Sequence, residues 1–394
     1  MEVKTAMRRY CEQYIADDLK KKMVFLGGPR QVGKTTLSKN ICQNNSGKHL
    51  YLNWDITEDQ QTIIKKQWLS NNNLIIFDEL HKYPLWKRWI KGVYDARPAE
   101  QQYLVTGSAR LDVYKRGGDS LLGRYHYWRL HPFTIDEPLP NILVSEMYAR
   151  LLTVGGFPEP FLNPDEREAR RWRHERFARI LQEDVRDLEN IKNIQLLSLF
   201  SDALRARVGG LITLSNLARD LEISPKTAKT WLASIEKMYI AFAVYPLSRN
   251  VPRSILKPPK VYFFDNADVL NGDGAKLENL VATTLLKRLH FIEDNYGYRT
   301  SLHYIRDKDG REVDFAVLID DKLEYLIEVK LNEDAVASGL KYYAEKLKPK
   351  NAVQIVGNLK TAYENNNILV INPCEFFTTF APPPWINKDS DYGG

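Results

Sequence analysis

The octapeptide Gly28-Pro29-Arg30-Gln31-Val32-Gly33-Lys34-Thr35 constrains this chain more than any other segment. It follows an apolar run at 23–27 and opens an amphipathic stretch at 34–44, so G-x-x-x-x-G-K-T stands between a strand and a helix. Glycine at 28 and 33 lets the backbone curl until its N–H groups converge, and the helix N-terminus adds a positive dipole at the same point. Such a loop suits phosphate. Gly28, Pro29, Arg30, Gln31, Val32, Gly33, Lys34, Thr35 and Thr36 are therefore expected to hold ATP. Lys34 would reach the β- and γ-phosphates, and the Thr35 hydroxyl would ligate Mg²⁺.

A phosphate loop that hydrolyses its ligand needs acids nearby, and Leu74-Ile75-Ile76-Phe77-Asp78-Glu79 supplies them at the end of an apolar run. Asp78 is expected to hold Mg²⁺ through water, and Glu79 to polarise the attacking water. Tyr103-Leu104-Val105-Thr106-Gly107-Ser108 ends a further strand in hydroxyls, so Thr106 or Ser108 is placed to sense the γ-phosphate. Charge developing on the transferred phosphoryl group calls for a cation, supplied in cis or by a neighbouring subunit. Arg124 is the first candidate and Arg30 the alternative.

The runs at 23–27, 49–53, 74–78, 102–106 and 126–130 alternate with helical patterns at 34–44, 58–70 and 85–96. That rhythm predicts a parallel α/β sheet covered on both faces. Beyond residue 141 the texture turns helical. The stretch 166–190 is rich in Arg, but its acids offset them, so a solvated helix with i,i+4 pairs is expected.

Residues 213–238 read as helix, turn, helix, with Ser224-Pro225 starting the second helix and a strand at 240–244 as a wing. Lys226, Thr227, Lys229 and Thr230 would face outward, either to read DNA or as part of a structural winged helix. The last third returns to α/β texture, with strands at 261–265, 302–306, 312–319, 324–330, 353–356 and 368–371 and helices at 276–291 and 335–347.

At 394 residues, and roughly 150 per domain, two to three domains are expected. The expected bounds are 1–140, 141–255 and 256–375, with 376–394 a flexible tail. Fifty-six Lys+Arg against 50 Asp+Glu leave +6, which permits a polyanionic partner without naming one. A more local signal is the acid-free stretch carrying Arg249, Arg253, Lys257 and Lys260, the candidate contact to a DNA backbone. Cys11, Cys42 and Cys374 lack metal-ligand spacing and suit reduced thiols, and no apolar run is long enough to span a membrane, so a cytoplasmic location is expected.

Taken together, the run 28–36, Phe77-Asp78-Glu79-Leu80-His81-Lys82, Thr106-Gly107-Ser108-Ala109, Leu122-Gly123-Arg124, Gly155-Gly156-Phe157-Pro158, residues 259–265 and Glu312-Val313-Asp314-Phe315 resemble a prokaryotic AAA-type ATPase family. Its members carry a C-terminal domain of unknown function. The resemblance implies an AAA+-like P-loop core, a helical and winged-helix middle, and an α/β end similar to PD-(D/E)XK (restriction-endonuclease-like) nucleases. A homo-oligomer acting on DNA is the corresponding expectation. The alternative is an ATP-switched regulatory or defence protein whose nuclease-like end only binds a partner.

The residues at that end make their own case. Glu328-Val329-Lys330 sets a carboxylate and an amine on one face of a strand. If Asp320-Asp321-Lys322 is a three-residue hairpin loop, Asp314 lies directly opposite Glu328, whereas a two-residue loop at Asp321-Lys322 would break that register. Opposed carboxylates call for a cation, so Asp314 and Glu328 are expected to bind Mg²⁺, with Lys330 stabilising a pentavalent phosphate. The nuclease resemblance adds Glu278 as a further metal ligand.

Overall fold

The computed structural model describes residues 8–44, 47–107, 121–187, 193–248, 257–333 and 335–379. They form two compact units, one of Met1–Pro132 with Lys237–Tyr239, the other of Phe133–Glu236 with Ile240–Gly394.

In the first unit α1 (Glu12–Leu19) precedes β1 (Met23–Gly27), α2 (Lys34–Asn44), β2 (Lys48–Asn53) and α3 (Thr57–Lys65). Then come β3 (Asn72–Asp78), α4 (Trp86–Asp95), β4 (Gln102–Thr106) and β5 (Tyr125–Arg129). The strands form one parallel sheet in the order β2-β3-β4-β1-β5. Burial explains that order. Every residue of β1 is buried, as are Leu74–Asp78 of β3 and Tyr103–Thr106 of β4, whereas β2, at an edge, exposes its start. Continuous apolar strands belong inside a sheet covered on both faces. On one face Phe25, Ile75, Phe77 and Tyr103 pack with Trp86 and Ile90 of α4.

Where the helices end is also legible. The expected helix at 58–70 stops early as α3, because Lys66 turns left-handed at φ 55°. All strands run the same way, so every strand-to-helix turn leaves the C-terminal edge, and the phosphate loop shares that edge with Asp78 and Thr106.

The second unit begins with α5 (Val144–Thr153), α6 (Pro158–Leu162), α7 (Glu166–Asp187), α8 (Ile194–Arg205), α9 (Leu214–Asp220) and α10 (Pro225–Lys237). It continues with β6 (Ala241–Pro246), β7 (Lys260–Phe263), α11 (Gly272–Tyr296), β8 (Thr300–Arg306), β9 (Glu312–Ile319) and β10 (Lys322–Lys330). α12 (Ser338–Leu347), β11 (Asn351–Val356), β12 (Tyr363–Asn365), β13 (Ile368–Ile371) and α13 (Pro373–Thr379) complete it. Its mixed sheet runs β12-β13-β11-β10-β9-β8-β6-β7.

One expectation is extended here and another changes. The strand foreseen as a wing is β6, and it pairs antiparallel with β7 and parallel with β8 inside the large sheet. Ala241, Phe242 and Val244 are buried, and so apolar a strand is better accommodated within a sheet than on an exposed wing. The stretch at 166–190 is not solvated all round. α7 carries the expected surface pairs, Arg170 with Glu166 at 3.5 Å among them, but it also buries Ala169, Trp172, Ile180 and Arg176. The Arg176 guanidinium stacks 3.8 Å from the Phe157 ring centre. Gly155-Gly156 is explained by close approach: a Cβ on Gly155 would fall 1.8 Å from Asp265 Oδ1, and one on Gly156 2.3 Å from the Phe133 carbonyl.

Candidate nucleotide site and a buried carboxylate cluster

The loop leaving β1 needs its glycines. Gly28 takes φ +137° and Gly33 φ +97°, and Gln31 between them also turns left-handed at φ 62°. A Cβ on Gly28 would lie 2.3 Å from the Leu130 carbonyl. The loop is braced from below by a residue the motif does not contain. Arg9 is buried and donates from Nη1 to the Val32 carbonyl at 3.2 Å and from Nη2 to the His131 carbonyl at 2.6 Å. No pattern around Arg9 announces this, because its partners are carbonyls distant in sequence.

Inside the loop, Lys34 is buried, and its ammonium donates to the carbonyls of Gly28 (3.0 Å) and Pro29 (2.6 Å). Phosphate oxygens there would replace neutral acceptors with charged ones, which make stronger bonds to an ammonium. The Thr35 hydroxyl donates to Asp78 Oδ2 at 2.8 Å, so residues 43 apart in sequence meet at one point. Two more hydroxyls converge on the same carboxylate, Tyr51 on Oδ2 and Thr106 on Oδ1. Tyr51 was not anticipated. Its signal was a lone hydroxyl in β2, the strand that lies beside β3 with Asn53 opposite Asp78. Burial, and then the Asp78 carboxylate it donates to, push its phenol above the ordinary tyrosine range.

Glu79 follows at once, in the left-handed region at φ 55°. Burial raises its carboxyl above the usual glutamate range, against the pull of Lys34 and Lys82. Its Oε2 lies 3.5 Å from Lys82 Nζ and 3.7 Å from His81 Nε2. Arg30 also acts on this carboxyl through its charge.

Arg124 requires a correction. β5 begins beside Met23, at the opposite end of β1 from the loop, and the Arg124 carbonyl accepts from the Met23 N–H at 3.2 Å. That end is about 13 Å from the loop along a strand of this length. The guanidinium is paired with Asp95, Nε to Oδ1 at 2.7 Å and Nη2 to Oδ2 at 3.1 Å. Arg124 therefore does not serve the nucleotide site of its own chain, and Arg30 remains the candidate arginine, its charge acting on Glu79 alongside those of Lys34 and Lys82. Ser108 lies outside the described residues.

In the second unit the hairpin of β9 and β10 turns on two residues, Asp320 and Asp321, both at positive φ. The three-residue loop is thus corrected, yet its register is kept. Residues pair as Lys322 with Ile319, then a bulge between Leu323 and Tyr325 shifts the pairing to Leu326 with Ala316 and Ile327 with Phe315. One step on, the carboxylates of Asp314 and Glu328 replace the backbone ladder. Val329 N–H donates to Asp314 Oδ2 at 3.0 Å, and Asp314 N–H to Glu328 Oε2 at 3.3 Å.

The cation among these acids is Lys260, the first residue of β7, whose side chain is 1% exposed. Its ammonium lies 2.7 Å from Glu312 Oε1, 2.8 Å from Asp314 Oδ1 and 3.2 Å from Glu278 Oε1. Tyr262, two residues on and on the same side of the strand, donates to Glu278 Oε1 at 2.7 Å. Burial alone would lower the Lys260 ammonium, but Asp314, Glu278 and Glu312 hold it well above the ordinary lysine range. Burial and the neighbouring Asp314 charge push Glu278 and Glu328 each up to about 7. Lys330 pairs with Glu328 at 2.9 Å.

Lys260 is thus removed from the proposed DNA contact. Arg249 and Arg253 lie outside the described residues, and Lys257 is exposed. The sign that Lys260 belongs inside was the alternation Lys260-x-Tyr262 in a buried strand, the same period that paired Glu328 with Lys330. Lys226, Lys229 and Thr230 are exposed on α10, whose first turn is capped by Ser224 Oγ accepting from Thr227 N–H at 3.0 Å.

Comparison with known families places a name on the first of these sites. Residues 20–139 match the family described as "AAA domain". That match takes in the loop at 28–35 together with Asp78 and Glu79. Residues 145–269 match "Domain of unknown function (DUF8612)" and residues 273–377 "Domain of unknown function (DUF4143)". The AAA match supports an ATPase, and with it nucleotide binding.

Uncharacterized proteins of Mycobacterium tuberculosis and Mycobacterium bovis are each 25% identical over 249 residues, 62% of this chain and 54% of theirs. The chain spans about half the length of the curated relatives it matches. Among solved structures, the Thermotoga maritima RuvB Holliday junction branch migration motor aligns at TM-score 0.31 and 14% identity, over 62% of this chain and 92% of that one. Bacteroides Pif1 bound to ssDNA aligns at TM-score 0.21 and 14% identity, over 37% and 45%. Superpositions this loose establish neither a fold nor an activity. Among the described residues no helix is long and apolar enough to cross a membrane.

Proposed function

We propose that the first unit hydrolyses ATP with Mg²⁺ and that the protein uses this cycle to act on DNA. The observation that carries the ATPase reading is the contact of Thr35 with Asp78 at the mouth of the phosphate loop. A hydroxyl and a carboxylate meeting beside a lysine suit a hard cation and a polyphosphate. Thr35 and Asp78 would hold Mg²⁺, which when bound neutralises charge on the β- and γ-phosphates. Lys34 and the N–H groups of Gly28 and 30–35 bind and orient the phosphates. Glu79, its affinity for a proton raised by burial, holds and polarises a water as base. Arg30 offers positive charge beside it, and Thr106 secures Asp78 from below.

The DNA reading is supported by the exposed Lys226 and Lys229 on α10 and by Lys257. A homo-oligomer would give Arg124 a use in the site of a neighbouring copy. The likeness of the C-terminal sheet to PD-(D/E)XK nucleases rests on Asp314, Glu328 and Lys330. The Lys260 ammonium among those acids favours a second reading of that sheet, in which it binds a partner without cleaving it.

The deciding experiment measures ATP turnover of the full chain with and without duplex and single-stranded DNA, using Lys34→Ala as the control. Turnover abolished by Lys34→Ala and stimulated by DNA, with binding that weakens as salt rises, is the expected result. Turnover indifferent to DNA, together with no salt-sensitive binding, would discard the DNA reading and leave the ATPase. Turnover that survives Lys34→Ala would discard the ATPase.

A further inference from the structure

The nuclease resemblance would have Glu278, Asp314 and Glu328 hold a divalent ion, but the structure puts a lysine among them. Lys260 Nζ has three N–H bonds to give, and the carboxylates of Glu312, Asp314 and Glu278 lie at 2.7, 2.8 and 3.2 Å to take them. The remaining oxygens of Glu312, Asp314 and Glu328 are also engaged. Glu312 Oε2 accepts from Arg306 at 2.6 Å and Asp314 Oδ2 from Val329 N–H at 3.0 Å. Glu328 accepts from Lys330 and from Asp314 N–H.

A divalent ion needs several such oxygens within about 2.0–2.6 Å, freed from other donors. Among the described residues no group of three or more His, Cys, Asp or Glu is disposed to hold a metal. Nor can the ammonium drift out easily: the side chain is 1% exposed, and the strand that carries it pairs with β6 along its length.

We infer that Lys260 is the resident cation of this cluster: its ammonium holds the position a divalent ion would take, and the wild-type cluster binds no such ion. An ammonium offsets the repulsion of the acids, but it is no Lewis acid and does not turn bound water into hydroxide. The cluster is therefore a closed structural site rather than a phosphodiesterase centre.

The test is Mn²⁺ binding to the full-length chain without nucleotide, followed by electron paramagnetic resonance of the free ion. The wild type is expected to take up no Mn²⁺ that Asp314→Asn removes. Lys260→Met, which keeps the aliphatic stem and loses the charge, is expected to bind one Mn²⁺ about tenfold or more tighter, and to lose it on adding Asp314→Asn. Wild-type protein that takes up Mn²⁺ through Asp314, so that Asp314→Asn removes it, overturns the inference. So does a Lys260→Met chain that is folded by circular dichroism yet takes up no Mn²⁺. Should that variant fail to fold, the wild-type and Asp314→Asn titrations decide the matter.

Discussion

Asp78 and Asp314 are both buried aspartates at strand positions with other acids beside them, but the donors they meet differ in charge. Asp78 accepts from the hydroxyls of Thr35, Tyr51 and Thr106, which are neutral. Asp314 accepts from the Lys260 ammonium and a backbone N–H, and Lys260 is shared with Glu278 and Glu312. Hydroxyl donors orient a carboxylate without cancelling its charge, so the group remains attractive to a cation. An ammonium cancels the charge. The same residue type is left open in one unit and closed in the other, and the partners make the difference.

Glu79→Gln tests the open site most severely. Turnover should fall by about 10²–10⁴-fold while a fluorescent ATP analogue still binds, because only the proposed base is lost. Turnover near the wild-type level would remove Glu79 from the chemistry and weaken the contrast at its stronger end.

The closed site should show itself in pH dependence. Glu278 and Glu328 are each raised to about 7 in the fold, from an ordinary glutamate value of 4.5. A carboxyl whose folded value is raised favours the folded state below its unfolded value, and that contribution disappears as pH rises through the folded value. Urea midpoints should therefore fall between pH 6 and 8 by a stability loss on the order of 1–3 kcal/mol. Glu278→Gln should flatten part of this slope. A slope that steepens in that variant would contradict the burial assigned to it.

Tyr51→Phe is a finer probe of the open site. Losing one hydroxyl donor to Asp78 should lower turnover about five- to tenfold at low Mg²⁺, equivalent to one ordinary hydrogen bond. High Mg²⁺ should recover most of it, whereas a purely structural role for Tyr51 would show no Mg²⁺ dependence.

Arg124→Ala should have the smallest effect. The pair with Asp95 is exposed, and turnover of the dilute protein should stay within about twofold. A loss that grows with protein concentration would show that a neighbouring copy uses this arginine.

Much of the first unit was legible because its signals are local. The phosphate loop, the apolar run ending in Asp78, and the rhythm of strand and helix each depend on neighbours within a few residues. Arg9 and Tyr51 were not legible, since their partners Val32, His131 and Asp78 are brought near only by the sheet. The hairpin at 319–322 shows a mixed outcome. A two-residue turn at Asp321-Lys322 was expected to break the register of Asp314 with Glu328; the turn falls on Asp320-Asp321 instead, and a bulge between Leu323 and Tyr325 restores that register. A bulge leaves little trace in sequence, because the extra residue can be of almost any type. The β6 strand was expected, but its second neighbour was not, since an apolar strand does not state which sheet it will join.

From sequence alone the chain determined that 28–35 would form a glycine-bearing turn between strand and helix and that Asp78 and Glu79 would stand near it. Those outcomes follow from periodicity and from a motif whose geometry is set within one turn. Tertiary structure alone decided which cation each acid meets. Charge pairing depends on distance through space, and the sheet brings Lys260 to Asp314 across 54 residues while keeping Arg124 at the far end of β1 from the loop.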